Sequence, residues 1–428
     1  MRPLDALLRP LTEFTLDLHM HPEASGEEAR TAARLGEALA AEGCAVTSGV
    51  GGHGVVGVLT NGDGPRVYLR SELDALPVRE QTGLPYAAEG PLMHACGHDL
   101  HTAALLGAVS LLARARDHWR GTVIAVGQPA EETLTGARAM LEDGLYARFG
   151  RPDAVLAQHS APLLGGMVAH GWGQPVLAGG ADVAITLHGR GGHAGTPHLT
   201  VDPVLAAAAL VLRLQGVVAR ESAPAEQVTL TVGRLHAGTT SNVVPDSASL
   251  GVTVRALSQA SLDRAVAAVE RMARAESAAS GCPRGPDITV TARSAATLPD
   301  AELTSLVSAA HREHLGARRV VPWPPSMATE DFALYGDAGR DLHGCAGIPL
   351  GYWMVGTTGP RQWAATPGAT AAERLAALPP NHSPRFAPHL PIALPTATAA
   401  LTTAALTCLH RQPPPTTTGD GAAGRPAG

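Results

Sequence analysis

The chain of 428 residues contains no lysine; its positive side chains are all arginine. That absence excludes Schiff-base chemistry on a lysine amine and a Walker-type phosphate lysine. Positive charge is also short overall. A formal net charge of −6 leaves no basic footprint for nucleic acid. Cysteine is sparse, with five residues, an odd number without close pairing. This argues against a disulfide scaffold and for a reducing cytoplasm. The first thirteen residues carry Arg2, Asp5, Arg9 and two prolines, and lack the apolar centre of a signal peptide. The apolar stretch Pro391–Leu409 is broken by Pro395 and diluted by threonine. It reads as a buried terminal helix, so no membrane is expected as a partner. The Pro-, Thr- and Gly-rich segment 412–428 is expected to be disordered.

The length allows two domains with real cores. Helical spacing of Ala29, Ala33, Leu35 and Leu39 predicts a helix over Glu27–Glu42, stopped by Gly43. Strands are expected at Val55–Thr60, Arg66–Arg70, Thr122–Val126 and Ala154–Gln158, with helices at Asp99–Arg114 and Gly136–Glu142. Alternating strands and helices indicate an α/β layer fold. The rhythm then changes. Asp182–His188, Asp202–Arg220, Gln227–Leu235, Ser249–Ala256, Gln259–Ala275 and Asp287–Ala292 read as β-α-β-β-α-β, the ferredoxin-like unit. The expected division is a catalytic domain in two parts, 1–181 and 296–411, interrupted by an inserted small domain, 182–295. The α/β pattern resumes at Asp300–Leu315. Gly49-Val50-Gly51-Gly52-His53-Gly54 matches a dinucleotide fingerprint in spacing, but Val55-Val56-Gly57-Val58 after it reads as a strand. The fingerprint needs a helix there, so a glycine turn between strands is expected instead.

Five scattered residues read as ligands for a pair of metal ions: Cys96, His98, Glu132, His159 and His382. Cys96 and His98 stand in Met93-His94-Ala95-Cys96-Gly97-His98-Asp99-Leu100-His101, dense in metal-binding groups. A thiolate beside two metals would be deprotonated and could bridge them. Glu131 and Glu132 end an apolar strand, and adjacent side chains diverge, so one can bind metal while the other faces a water. His53, His118 and His170 read as ordinary histidines.

In these segments the chain resembles the amidohydrolases that include hippurate hydrolase, auxin-conjugate hydrolases and bacterial N-acyl-amino-acid deacylases, within a wider group of dinuclear-metal aminoacylases and carboxypeptidases. The resemblance covers about residues 14–410. It runs through Leu18–Glu23, Arg70–Pro77, Met93–His101, Gln128–Glu132, Gly191–His198, Thr240–Asp246, Thr329–Phe332 and Asn381–Phe386. It implies a mixed-sheet metallopeptidase domain with the insertion as lid and dimerisation domain. It implies Cys96 as metal bridge, with His98, Glu132, His159 and His382 as terminal ligands. Glu131 is implied as general base and acid, and Asp74 as the group that orients a ligand. His193 and Asn242, in the insertion, are implied to hold the substrate's carbonyl or carboxylate.

The chain departs from the family in two places. Glu72 stands where the family usually has Asp. The family commonly has an aromatic close after the His159-type ligand, where this chain reads His159-Ser160-Ala161-Pro162; a smaller residue there is expected to reshape the acyl pocket. Asn242 and Glu330-Asp331 also read as turn and helix caps.

The expectation is a cytoplasmic, homodimeric enzyme with two Zn²⁺ or Mn²⁺ ions per chain that cleaves the amide of an N-acyl amino acid or related conjugate. The alternatives are a dipeptidase or carboxypeptidase of the same family, or a non-catalytic metal-binding regulatory protein. A dinucleotide-dependent oxidoreductase stands further off.

Overall fold

The structure is a computed structural model and describes residues 2–411. The tail 412–428 lies outside the described residues. Two sheets divide the strands. The larger has eight strands in the order Ala45–Val50, Gly54–Asn61, Gly121–Gln128, Arg66–Glu72, Ala154–Leu164, Leu350–Thr358, Val168–His170 and Val320–Pro322. The four central strands run parallel, and antiparallel pairings occur toward both edges.

The central strands alternate with period two, and both faces are covered. Val67, Leu69, Val123, Ala125, Leu156, Trp353 and Val355 face one core. There they meet the helices Arg2–His19, Ala29–Ala41, His98–Arg114, Ala301–Leu315 and Leu390–Leu409. Tyr68, Ile124, Val126, Val155, Ala157, Tyr352 and Met354 face a second core, closed by Met140, Leu141, Tyr146, Phe332 and Tyr335. The terminal helix, expected at Pro391–Leu409, spans Leu390–Leu409 and is long and apolar enough to cross a membrane. It lies mainly buried against the His98–Arg114 and Ala301–Leu315 helices. Proline at its second position and again at Pro395 leaves it helical.

The smaller sheet has four antiparallel strands in the order Asp287–Ser294, Gly179–His188, Ser247–Ala256 and Val228–Ala237. Val183, Ile185, Leu187, Leu250, Val252 and Val254 pack on one face against the helices Pro203–Gly216 and Gln259–Ala279. The chain order is β-α-β-β-α-β, and a two-stranded ribbon, Gly192–His193 with Val243–Val244, stands beside it.

Among the elements that escape the sequence pattern are a long helix and a central strand. Arg2–His19 is a helix whose Leu7, Leu11, Phe14 and Leu18 recur at helical spacing along one buried stripe. Leu350–Thr358 is a fully buried central strand. Its Gly351 fits because a Cβ there would lie 2.5 Å from Leu156 Cδ2. The glycine run at 49–54 joins two antiparallel strands and has no helix after it.

Candidate metal centre

The carboxyl ends of the parallel strands are where α/β sheets place their sites, and the candidate residues gather there. Asp74 follows the Arg66–Glu72 strand, and Glu131 and Glu132 follow Gly121–Gln128. His159 lies within Ala154–Leu164, Cys96 precedes the His98–Arg114 helix, and His382 sits in the loop before Leu390–Leu409. Their donor atoms form interlocking groups: Cys96 with His98 and His159, Cys96 with Glu132 and His382, and His98 with Glu131 and Glu132, each within 4.8 Å. All five sequence-predicted ligands therefore converge.

The backbone is bent to achieve this. Among the described residues, the non-glycine positions with positive φ are Ala130 (50°), Leu134 (57°) and His382 (68°). Two flank the glutamate pair and the third is a candidate ligand. Such conformations cost free energy and persist where the surrounding structure imposes them, often at functional sites.

His98 and His159 are each held by one imidazole nitrogen, leaving the other for the centre. His98 Nδ1 donates to the Asp74 carbonyl at 2.8 Å. His159 Nδ1 donates to the Ser160 carbonyl at 2.9 Å, and its Nε2 lies 3.5 Å from Cys96 Sγ. His382 Nε2 lies 3.2 Å from Glu132 Oε2, with its side chain on the solvent-exposed rim. Asp74 also accepts from the Glu132 N–H at 2.9 Å and from Ser25 Oγ at 2.7 Å, so one carboxylate serves both the His98 and Glu132 segments.

The donor set suits a metal. His98 Nε2 and Glu132 Oε1 are buried without a hydrogen-bond partner and lie 3.9 Å apart. Two ligand atoms each roughly 2.0–2.2 Å from one ion span a gap of that order. The electrostatics agree. Burial pushes the Cys96 thiol up, but the His159 charge and contacts with His159, His382 and His98 hold it well below the usual thiol range. His159 is raised to about 9 against burial by Cys96, and His382 to about 10 by Cys96 and Glu132. A centre that draws protons onto its imidazoles carries surplus negative charge, which a divalent ion would balance in their place.

Behind this centre lies a buried ionic network that the sequence reading did not assemble. Arg70 is fully buried and pairs with Glu72, with Glu330 at 2.9 Å and with Asp331 at 3.0 Å. Asp331 also accepts from Gln128 at 2.9 Å and from the Ala137 N–H at 2.9 Å. Glu330 accepts the Asp331 and Phe332 N–H groups, so it caps the short Phe332–Tyr335 turn and also serves the network. Glu131 is grouped with Glu330 and Asp331 within 4.8 Å, and its Oε2 lies 3.9 Å from His98 Nε2. Burial, then Glu330 and Glu132, push its carboxyl well above the usual range.

The two family departures fall in this supporting layer. Glu72 bridges Arg70 and His101 Nδ1, and His101 Nε2 accepts the Ser160 N–H at 2.8 Å. Ser160 Oγ donates to the Cys96 carbonyl at 2.6 Å, and Ala161 packs in the core with Phe332 and Tyr335. These contacts place Ser160 and Ala161 behind the ligands as support.

His193 and Asn242 stand apart. Both are exposed, His193 on the two-stranded ribbon and Asn242 in the turn that precedes its second strand. His193 Nδ1 accepts the Gly195 N–H at 2.9 Å, and the Asn242 carbonyl accepts the Ala194 N–H at 3.1 Å. Neither side chain bonds to a candidate ligand within the chain.

Known proteins share this arrangement. Residues 68–362 match the family described as peptidase family M20/M25/M40. An N-acetyl-L-cysteine deacetylase of Bacillus subtilis is 35% identical over 84% of this chain and 83% of its own length. An IAA-amino acid hydrolase of Arabidopsis thaliana is 34% identical over 75% of this chain and 74% of its own. A dinuclear metal-binding peptidase of the same family from Bacillus subtilis superposes with a TM-score of 0.74 at 28% identity, covering 95% of this chain and 99% of that one. The fold and centre define an α/β metallohydrolase. The chain belongs to peptidase family M20/M25/M40.

Proposed function

We propose that this chain is a metal-dependent amidohydrolase that splits the amide of an N-acyl amino acid, or a related conjugate, into a carboxylic acid and a free amino acid. The observation that carries the reading is the buried carboxyl of Glu131 beside the converged ligand candidates. Cys96, His98, Glu132, His159 and His382 would hold two ions per chain, with Cys96 the ligand they would share. Thiolate and imidazole donors suit Zn²⁺, while carboxylates also admit Mn²⁺. Such ions, when bound, supply a nucleophilic water at neutral pH and Lewis acidity toward the amide oxygen.

The chain's own groups do the rest. Glu131 takes the proton of the attacking water and delivers it to the departing nitrogen. Its raised proton affinity suits a group that must hold that proton between the two steps. His193 and Asn242 bind the substrate's carbonyl or carboxylate, reaching the centre by closure of the small domain or from a second subunit. A homodimer through the small domain is part of this reading. The substrate class is supported by the deacetylase and the IAA-amino acid hydrolase to which the chain is similar.

The test is a panel of acetyl, benzoyl, long-chain and indoleacetyl amino acids beside unblocked dipeptides, with released amine as the readout. Activity on blocked amino acids should vanish with chelator and return with Zn²⁺ or Mn²⁺. Cleavage of unblocked dipeptides alone would favour the dipeptidase reading, and no metal-dependent cleavage of either class would sink both.

A further inference from the structure

Asn381 precedes His382, and its half-buried amide reaches the Cys96 and Ser160 segments. Nδ2 is 3.6 Å from Cys96 Sγ, 3.2 Å from the Ser160 carbonyl and 3.3 Å from Ser160 Oγ. The orientation of the amide follows from its neighbours. A backbone carbonyl can only accept, and a thiolate can only accept, so the NH₂ end must face them; the carbonyl end would set lone pairs against lone pairs. One amide hydrogen is satisfied at Ser160, and the second points to sulfur.

Three segments meet at this amide. Ser160 Oγ donates to the Cys96 carbonyl at 2.6 Å, and the His382 N–H donates to the Ala95 carbonyl at 2.9 Å. Gly97, with φ of 78°, closes the approach, since a Cβ there would lie 2.9 Å from Ser160 Oγ. The loop bearing Cys96, the strand bearing His159 and the loop bearing His382 are thus fastened together. The Ser160 hydroxyl and the His382 N–H both end on backbone carbonyls. The Asn381 contact alone reaches a ligand atom.

We infer that Asn381 is a positioning residue that donates an N–H···S hydrogen bond to the Cys96 thiolate and thereby sets the sulfur's charge and the affinity of the site. The inference rests on Cys96 being a metal ligand. Its physical content is that a donor on sulfur stabilises the sulfur lone pairs, so less charge passes to the ions and they remain stronger Lewis acids. A neutral amide does this without competing as a ligand.

The experiment loads the full chain with Co²⁺ and follows the near-ultraviolet sulfur-to-cobalt charge-transfer band, together with Co²⁺ and Zn²⁺ affinity by titration. Asn381→Ala and Asn381→Asp remove the donor, and Ser160→Ala removes a loop fastening while keeping it. The Asn381 variants should move the band to longer wavelength, because the sulfur lone pairs lose their donor; a fall in affinity of up to roughly 10–100-fold would report the lost positioning of Cys96, which acts against the stronger donation of the freed sulfur. Ser160→Ala should leave the band in place. Should Asn381→Asp fail to fold, Asn381→Ala carries the test. A band that does not move in a folded Asn381 variant overturns the inference even if affinity falls, because the residue then only holds its loop. A parent protein with no such band overturns the thiolate-ligand reading itself, and this inference with it.

Discussion

Glu72 accepts a hydrogen bond from His101 at 2.8 Å, with both side chains shut off from solvent. The other ring nitrogen of His101 accepts from the Ser160 N–H, so the imidazole is neutral with its proton on Nδ1. A carboxylate outside the ligand set therefore fixes the backbone beside His159. Glu72→Gln keeps the shape and removes the charge. Its metal affinity should fall about 10–100-fold, as for other partners that orient ligands. Unchanged affinity in a metal titration would show that the Glu72–His101 pair serves only packing.

Arg70 is the only cation in contact with Glu72, Glu330 and Asp331 among the described residues. Arg70→Met fills similar space and strands those carboxylates without their partner. Breaking a buried pair in this way costs on the order of 3–5 kcal/mol. Urea unfolding at neutral pH should show a loss of that size, and a loss under about 1 kcal/mol would mean that protonation of the acids relieves the cluster.

A second buried pair gives a pH dependence. His170 Nε2 donates to His311 Nδ1 at 3.0 Å, and His311 Nε2 donates to the Ala400 carbonyl at 2.9 Å. These three nitrogens are committed in the neutral form. Burial lowers His311 to about 4 from 6.5 and holds His170 well below its usual value. The unfolded chain then binds the extra proton first. Stability from His311 is fully present above pH 6.5 and is lost as pH falls toward 4. Between pH 7 and pH 5 the loss from this one group is about 2 kcal/mol. His311→Gln should flatten the fall in urea stability over that interval. An equally steep fall in the variant would contradict the assignment.

Much of this centre was legible in the sequence because metal ligands are chemically conspicuous. Cys96, His98, Glu132, His159 and His382 stand in dense or strand-end motifs, and the structure brings all five together. The supporting layer was harder to read, since Arg70 and Glu330 are 260 positions apart and meet only through sheet topology. Asn381 had one sequence signal, its place beside a ligand. The Leu350–Thr358 strand was missed because its glycines dilute the apolar run, although close packing requires at least Gly351. The Arg2–His19 helix was missed because prolines punctuate a segment that tertiary burial keeps helical.

His193 should act across a subunit boundary. It is exposed and makes no bond to the centre of its own chain. Mixing Glu131→Gln with His193→Ala should regain part of the activity, because hybrid dimers hold one site with both residues intact. If subunits demonstrably exchange and activity stays at the parents' level, His193 works within its own chain or has no role.

The most direct test of the proposed chemistry separates Glu131 from its neighbour Glu132. Metal content and turnover on an N-acyl amino acid would be measured side by side for Glu131→Gln and Glu132→Gln. The account predicts that Glu131→Gln keeps both ions while turnover falls by a factor on the order of 10² to 10⁴, and that Glu132→Gln loses metal first. Equal loss of metal in the two variants, or full turnover in Glu131→Gln, would contradict it.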